Sequence, residues 1–574
     1  MAYNPPGVEV TQVQKSNSPT LIEPDLAPAV VGPAYKVVSI GTDEAIISDT
    51  TYQAVQKVVD LTNYGLNTST MKLDQASVYV DLVMPPSSAI EGVPAETRLF
   101  VASGVTVGGI TVTSNISTSS TTVTIPAIPD ATVDGVLYSW KNAIIHIGWR
   151  ALRSDLATPY NYTSLSELTD DHDDISTLNP LGYAANQARA NGNTSFWTYG
   201  TKADEFNNLV ISGTASSEHD LALEEFGLQE VYTLAPLTVT DAIISSYKTH
   251  ANSFSAPAAK KERIVVAAPK IGWYSTANPA LQRSTTALSV STKAGSMAEK
   301  RVFYVFPDVA FIQESRHIST LNPSFIQAVF PTGTAFSTNV NARLLQTIAF
   351  STSNASTVWA GKTVNPSAGV GEEIDAELYK ALRSHALSTK NPFFTAYVPA
   401  PACLTLTTAV AGQVAGNLPQ QGLTNVPIAG VDALKFSSEF FSEAQLNTMA
   451  QGGTYIMRQA KPGAAISSRH QLSTDMSSVE KRELSITKTV DYVSKFVRNT
   501  VSPFIGKYVI NELSLTMIRV SVAGVGEFLK KKGTVNSFTI NQVAQDAINK
   551  DQVNVSITIQ PPYPVNKIDI QLIF

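Results

Sequence analysis

The chain of 574 residues carries 15% charged and 43% apolar side chains and a formal net charge of −6. Its length exceeds what one hydrophobic core supports, so roughly two to four domains are expected, and the slight acidity argues against nucleic acid as a direct partner. With Cys403 as the only cysteine, a disulfide framework and a Cys-rich zinc site are excluded, which fits folding in a reducing cytoplasm.

At the N-terminus, MAYNPPGVEV lacks a basic stretch followed by an apolar one, so no secretory signal is expected. No apolar run approaches the roughly 18 residues of a membrane span, and no membrane insertion is expected. Pro5-Pro6-Gly7 leads into the alternating Val8 and Val10, with Val13 beyond, and Pro19, Pro24 and Pro28 keep the connection extended. The segment reads as an arm or as a frayed end. Ala29-Val30-Val31-Gly32 reads as a buried strand, and a helix is expected over residues 52–60. Between 70 and 155, Ser, Thr, Val and Gly crowd together, and the alternation of Ile110 and Val112, then Val123 and Ile125, predicts short antiparallel strands of an inserted sandwich or barrel.

From 164 to 308 helix and strand alternate. Asn179 as N-cap, Pro180 at the first helical position, the stripe Leu181, Ala184, Ala185 and Ala188, and the stop Asn191-Gly192 predict a helix. Strands are expected at 195–199, 230–234, 263–268 and 301–306, with a helix opened by Thr240 or Asp241, giving a βαβ layer with parallel pairing. Residues 311–393 read as a second insertion with a helix at 372–385. A strand at 394–398 and a small-residue helix at 408–415 follow, then a helix opened by the Ser442/Gln445 capping box and ended by Gly452-Gly453. Leu484–Val501 is expected to be the longest helix, its Ile486, Val490, Val493 and Val497 sharing one face. A short apolar segment reaches Phe528 and Leu529 and ends at Gly533 after Lys530-Lys531-Lys532, and 534–540 reads as a strand.

The tail has the clearest alternation. Val553, Val555, Ile557 and Ile559 fall opposite Asn554, Ser556, Thr558 and Gln560 as on a half-buried strand. Pro561-Pro562-Tyr563-Pro564 removes three donors and forbids a tight hairpin. Ile568, Ile570 and Leu572 then form a second alternating run. Such a run needs a sheet neighbour, either in its own domain or in another chain.

No constellation carries chemistry. The seven histidines form no HExxH pair. Asp170-Asp171-His172-Asp173-Asp174 lacks the spacing and glycine of a calcium loop and reads as a solvated acidic loop. Ser217-Glu218-His219-Asp220 holds triad residue types without triad geometry. Ala360-Gly361-Lys362-Thr363 lacks the first P-loop glycine, and Gly369-Val370-Gly371 lacks the third glycine of a dinucleotide fingerprint. No catalytic residue, cofactor or metal ligand is assigned, so the chain is expected not to be an enzyme. Lys530, Lys531 and Lys532 either meet an acidic partner surface or complement the dipole of the helix they end.

In this order the segments PPGVEVTQV, LAPAVVGP, NPLGYAANQARANG, RHQLSTDMSSVEKRELSITKTVDYVSKFVRN and FLKKKGTVNSFTI resemble tail sheath proteins of contractile bacteriophages and related injection machines. The resemblance implies an α+β/α/β multidomain fold, with a discontinuous core in which helices flank a mixed sheet, β-rich insertions, and terminal arms that pair with neighbouring subunits. The expected parts are an N-terminal arm (1–25), a first core piece (26–69), a β-rich insertion (70–157), an α/β domain (158–310) and a second insertion or decoration (311–393). A C-terminal core (394–550) and a strand-donating arm (551–574) complete them. It further implies a helical homopolymer, built of stacked hexameric rings around an inner tube and ending on baseplate and terminator proteins. The polymer would be assembled in the host cytoplasm into a virion, where it contracts. Subunits would be linked through Val8, Val10 and Val13 and through Val553, Val555, Ile557, Ile559, Ile568, Ile570 and Leu572, with Lys530 to Lys532 facing the tube. The alternatives are a non-contractile virion or surface-layer assembly protein, and a tail-associated glycan hydrolase, which would need two carboxylates across a cleft.

Overall fold

The computed structural model describes residues 21, 23–40, 57–84, 99–102, 106–107, 110–111, 117–125, 131–133, 136–138, 144–192, 195–270, 279–317, 393–434, 441–460, 464–566, 568 and 570. Two compact units emerge: Leu26–Asn417 with Gly422–Leu484, and Met1–Asp25 with Leu418–Gln421 and Ser485–Phe574.

In the larger unit, β1 (Pro28–Pro33) is buried along its whole length, as its unbroken small and apolar run requires of a central strand. β2 (Tyr35–Ile40) pairs antiparallel with β3 (Ile144–Arg153), which also pairs with the strands Met71–Leu73 and Tyr79–Met84. The main sheet adds β4 (Tyr160–Tyr162), β5 (Phe196–Thr201), β6 (Thr233–Pro236), β7 (Ile264–Ala267), β8 (Val302–Phe306), β9 (Thr454–Gln459) and β10 (Ile466–Ser468) in the order β4-β5-β1-β6-β7-β8-β9-β10. All neighbours from β5 to β9 are parallel, and the two edge strands are antiparallel. The chain therefore steps outward from β1 to β5 and then reverses past β1 to β6.

The helices α1 (Leu165–His172), α2 (Pro180–Gly192), α3 (Ala215–Leu228), α4 (Asp241–Phe254), α5 (Pro279–Met297), α6 (Leu406–Gly416) and α7 (Glu443–Gln451) cover this sheet. On one face, Ala222 and Phe226 of α3, Ile243, Ile244 and Tyr247 of α4 and Ala294 of α5 pack on Ala29, Val31, Leu234 and Val265. Strand alternation turns Val30 to the other face, where α2 and α6 pack on β1. α6 is buried on all sides, which explains its lack of a polar stripe. α2 and α6 cross at glycines: a Cβ on Gly192 would lie 2.6 Å from the Gly412 carbonyl, and a Cβ on Gly412 would collide with that of Ala188.

Several expectations change. The helix expected over 52–60 is, over its described part, the strand Lys57–Asp60, paired antiparallel with Thr122–Ile125; its β-branched valines suit a strand. Asn179 precedes α2, but its side chain accepts from the Tyr35 amide at 2.9 Å and donates to the Asp174 carbonyl at 2.8 Å, tying the helix start to β2. Gly192 is the last helical residue, and the α2–α6 contact requires it. The helix expected at 372–385 lies outside the described residues.

In the smaller unit, α8 (Leu484–Val501) starts at the division between the units and ends in a 3-10 turn at Ser502–Phe504. The segment read as short is α9 (Glu512–Lys531), opened by a capping box of Asn511 and Ser514. Its 20 residues exceed the 18 of α8, as do the 19 of α5. Gly533 follows with φ 68°, the left-handed conformation that ends the helix. β11 (Ser537–Gln545) and β12 (Val553–Gln560) close the unit as an antiparallel hairpin, with a bulge between Ile540 and Gln542.

Candidate assembly surface in the C-terminal hairpin and tail

The hairpin owes its inner face to the alternation of β12. Val553, Val555 and Ile557, with Phe538, Ile540 and Val543 of β11, pack on Ile518 and Val522 of α9. Gly526 lets α9 approach, since a Cβ there would press on the Phe538 ring. The bulged Asn541 reaches back across the hairpin, donating to Thr558 Oγ1 at 2.8 Å. In the loop, Asp546 accepts from the amides of Ile548 and Asn549 at 2.9 and 2.8 Å and from Asn554 Nδ2 at 2.6 Å. Those bonds hold its carboxyl below the usual carboxylate range.

The tail beyond the hairpin is different. β12 pairs on one side with β11 in a sheet of two strands, so among the described residues its outer edge is a row of main-chain donors and acceptors. Among the described residues after Gln560 the chain takes no regular structure. Val565, Ile568 and Ile570 are 79%, 75% and 80% exposed, and Tyr563 is also exposed. The seven C-arm residues therefore divide. Val553, Val555, Ile557 and Ile559 are half-buried within their own chain, Ile568 and Ile570 project, and Leu572 lies outside the described residues, as do Val8, Val10 and Val13. The signal for this division was Pro561-Pro562, which ends the strand.

The lysines ending α9 are exposed, and two of them are engaged: Lys530 pairs with Glu527 at 2.5 Å and Lys532 with Glu23 at 3.0 Å. Lys530 and Lys531 lie in the last turn, where cations complement the dipole.

Among the described residues, the side chains of the 170–174 and 217–220 clusters make structural contacts. His172 is buried, its pKa pushed down to about 4 by burial and the nearby Arg153. Asp171 accepts from the Tyr162 hydroxyl at 2.9 Å, and Asp173 caps α1 and pairs with Lys36 at 3.4 Å. His219 is buried against the Tyr247 hydroxyl at 2.9 Å, Glu218 accepts from the Lys202 amide at 3.1 Å, and Ser217 caps α3 through Thr214. Ala360 to Thr363 and Gly369 to Gly371 lie outside the described residues.

Open α/β sheets hold ligands at the carboxyl ends of their strands, where the winding reverses; here that is between β1 and β6. The place is filled. Pro33, Leu237, Phe206, Pro180 and Leu404 leave a cavity of about 30 Å³, room for a water molecule or two. The Asp204 carboxylate beside it is taken by Tyr35 Oη at 2.6 Å and Asn207 Nδ2 at 2.5 Å.

No family model matches the sequence, and no curated protein does. Solved structures are similar to the chain at low identity. The anti-feeding prophage helical sheath in its contracted state matches at 11% identity and a TM-score of 0.43, covering 74% of this chain and 90% of that one. The sheath complex of the extracellular contractile injection system PVC, also contracted, matches at 10% and 0.44, covering 72% and 86%. A sheath tail protein of Desulfitobacterium hafniense matches at 8% and 0.38, covering 97% and 100%. These three structures are of sheath proteins.

Proposed function

We propose that the chain is the structural subunit of a contractile sheath, polymerising helically around an inner tube and linked by strands exchanged between subunits. The observation that carries this is the tail: a stiff Pro-rich spacer delivers an alternating apolar run, with Ile568 and Ile570 exposed, just beyond a two-stranded sheet whose outer edge is unpaired among the described residues. Strand addition supplies main-chain hydrogen bonds for strength and alternating side chains for register. The matching order of the five sequence segments supports the same reading.

In this reading the spacers at both termini act as hinges, and contraction is a passage between two packings of the same subunits, the shorter one lower in free energy. It needs no nucleotide. Tube, baseplate and terminator proteins are the partners, and the assembled particle is a virion or a derived injection machine. Extended tubes treated with mild acid or urea should convert to a short, wide form under the electron microscope. A single lattice under all conditions would instead favour a non-contractile assembly protein.

The informative truncation falls after Gln560. Removing residues 551–574 takes away β12 and uncovers Val543 and Ile518, so lost assembly would report misfolding. A chain ending at Gln560 keeps the hairpin and should stay folded, with an unchanged denaturation midpoint, while forming no tubes. Tubes of normal length from that chain would refute strand donation by the tail.

A further inference from the structure

Glu23 belongs to the smaller unit and lies just before the chain crosses into the larger one after Asp25. Its carboxylate accepts from the Tyr492 hydroxyl of α8 at 3.0 Å and from the Lys532 ammonium, at the end of α9, at 3.0 and 3.3 Å. Both donors rest on one aromatic floor. Lys532 Nζ sits 4.5 Å from the Phe528 ring centroid, Phe528 meets Phe496 edge-on at 5.5 Å, and Phe496 meets Tyr492 at 5.9 Å. Cation–π and edge-to-face contacts hold these groups in place before a carboxylate arrives. Burial and the Glu23 charge push the Tyr492 pKa up, so its hydroxyl remains a donor. Pro24 follows and restricts Glu23 to extended conformations, so the backbone that presents the carboxylate to the clasp is stiff.

We propose that Glu23, clasped by Tyr492 and Lys532, is the anchor from which the N-terminal segment leaves its unit, a positioning residue that decides which neighbouring subunit the segment reaches. This assignment rests on the strand-exchange reading above. It also gives Lys532 a role inside its own chain, distinct from a tube-facing charge. Exposed ion pairs add little to global stability. Loss of the clasp therefore leaves the fold intact and acts on the local order of the arm.

The test reads the clasp and its consequence separately. A nitroxide on Leu21→Cys labels one site, because Cys403 is buried. In the unassembled chain the parent spectrum should contain an immobilised component. Glu23→Gln and Lys532→Met should each raise the mobile fraction roughly five-fold, within the range of an exposed ion pair, whereas Lys532→Arg, which keeps a cation able to stack on Phe528, should keep the parent line shape. Identical spectra across the series would overturn the clasp. In unlabelled protein, Glu23→Gln and Lys532→Met should lose tubes while circular dichroism stays unchanged, and Lys532→Arg should keep them. Normal tubes from Glu23→Gln and Lys532→Met would overturn the positioning role while leaving the sheath reading intact. Absence of tubes from the unaltered chain would count against the sheath reading, and the line shapes would still decide the clasp.

Discussion

Arg150 is 1% exposed on β3, and its charge is met by Asp74, 2.8 Å from both Nε and Nη2, while the Tyr35 ring lies 4.3 Å beneath the guanidinium. Removing one partner of a buried pair strands the other charge, at a cost of about 3–5 kcal/mol, whereas replacing both with apolar groups is often nearly neutral. Asp74→Ala should lower the unfolding free energy in urea by that order, and Asp74→Leu with Arg150→Met should recover most of it; equal losses in the two variants would show that the pair is not the source. The buried histidines give a second expectation. His219, pushed down to about 3 by burial, and His172, at about 4, stay neutral in the folded chain, while unfolded histidine titrates near 6.5. Below pH about 6.5 the unfolded chain takes up protons that the folded chain refuses. Stability is therefore complete above that value and falls as the pH drops towards 4, by at most about 1.4 kcal/mol per pH unit for each histidine. The urea midpoint should fall between about pH 7 and about pH 5, and His219→Gln should reduce the fall. None of this could be read from sequence: Asp74 and Arg150 are 76 positions apart, and nothing local marks them as partners.

Helices were legible where their start and stop were chemical. Ser442 and Gln445 do form the expected capping box of α7, and Gly453 follows it with φ 82°. α8 has the bounds its period implied. α9 was underestimated because valines, glycines and hydroxyl residues dilute its pattern and because its capping box uses Asn511 and Ser514 in place of an acidic partner. α5, rich in serine and threonine, gave no stripe to read. Small residues also conceal their reasons: Gly192 looks like a helix stop until α6 is placed against it. Two glycines separate those reasons experimentally. A Cβ on Gly412 meets the Ala188 backbone, whereas one on Gly295 of α5 finds only ordinary contact, 3.8 Å from the Gly452 carbonyl. Gly412→Ala should destabilise by about 1–3 kcal/mol through forced separation of α2 and α6. Gly295→Ala should stabilise by about 0.5–1 kcal/mol, because alanine loses less freedom on entering a helix. Shifts of the same sign in thermal melts of the two variants would contradict the packing described here.

At the scale of the whole chain, composition pointed to several domains, and the βαβ alternation pointed to the parallel layer that β5 to β9 form. The sheet's membership was not legible, because β1 and β9 come from distant parts of the chain and meet the same layer through long-range pairing alone. The tail was partly legible. Its alternation identified β12 correctly as a strand, but pattern alone cannot tell a strand that pairs at home from one that is lent, and β12 pairs with β11.

A lent strand of about six residues would add roughly three to six main-chain hydrogen bonds, each worth about 1 kcal/mol net. That total changes the link equilibrium by about two to four powers of ten, enough for one missing link to matter to a growing polymer. A subunit ending at Gln560 would still offer its hairpin edge to a neighbour's strand while having none to donate. Mixed into the full-length chain at roughly one part in ten, it should enter tubes and leave a break at each insertion. Because breaks accumulate with dose, mean tube length in negative-stain images should fall steadily as the truncated fraction rises, and the tubes should shear more readily. Tube length independent of that fraction, with the truncated chain present in the pellet, would mean that the exposed Ile568 and Ile570 do not join one subunit to the next.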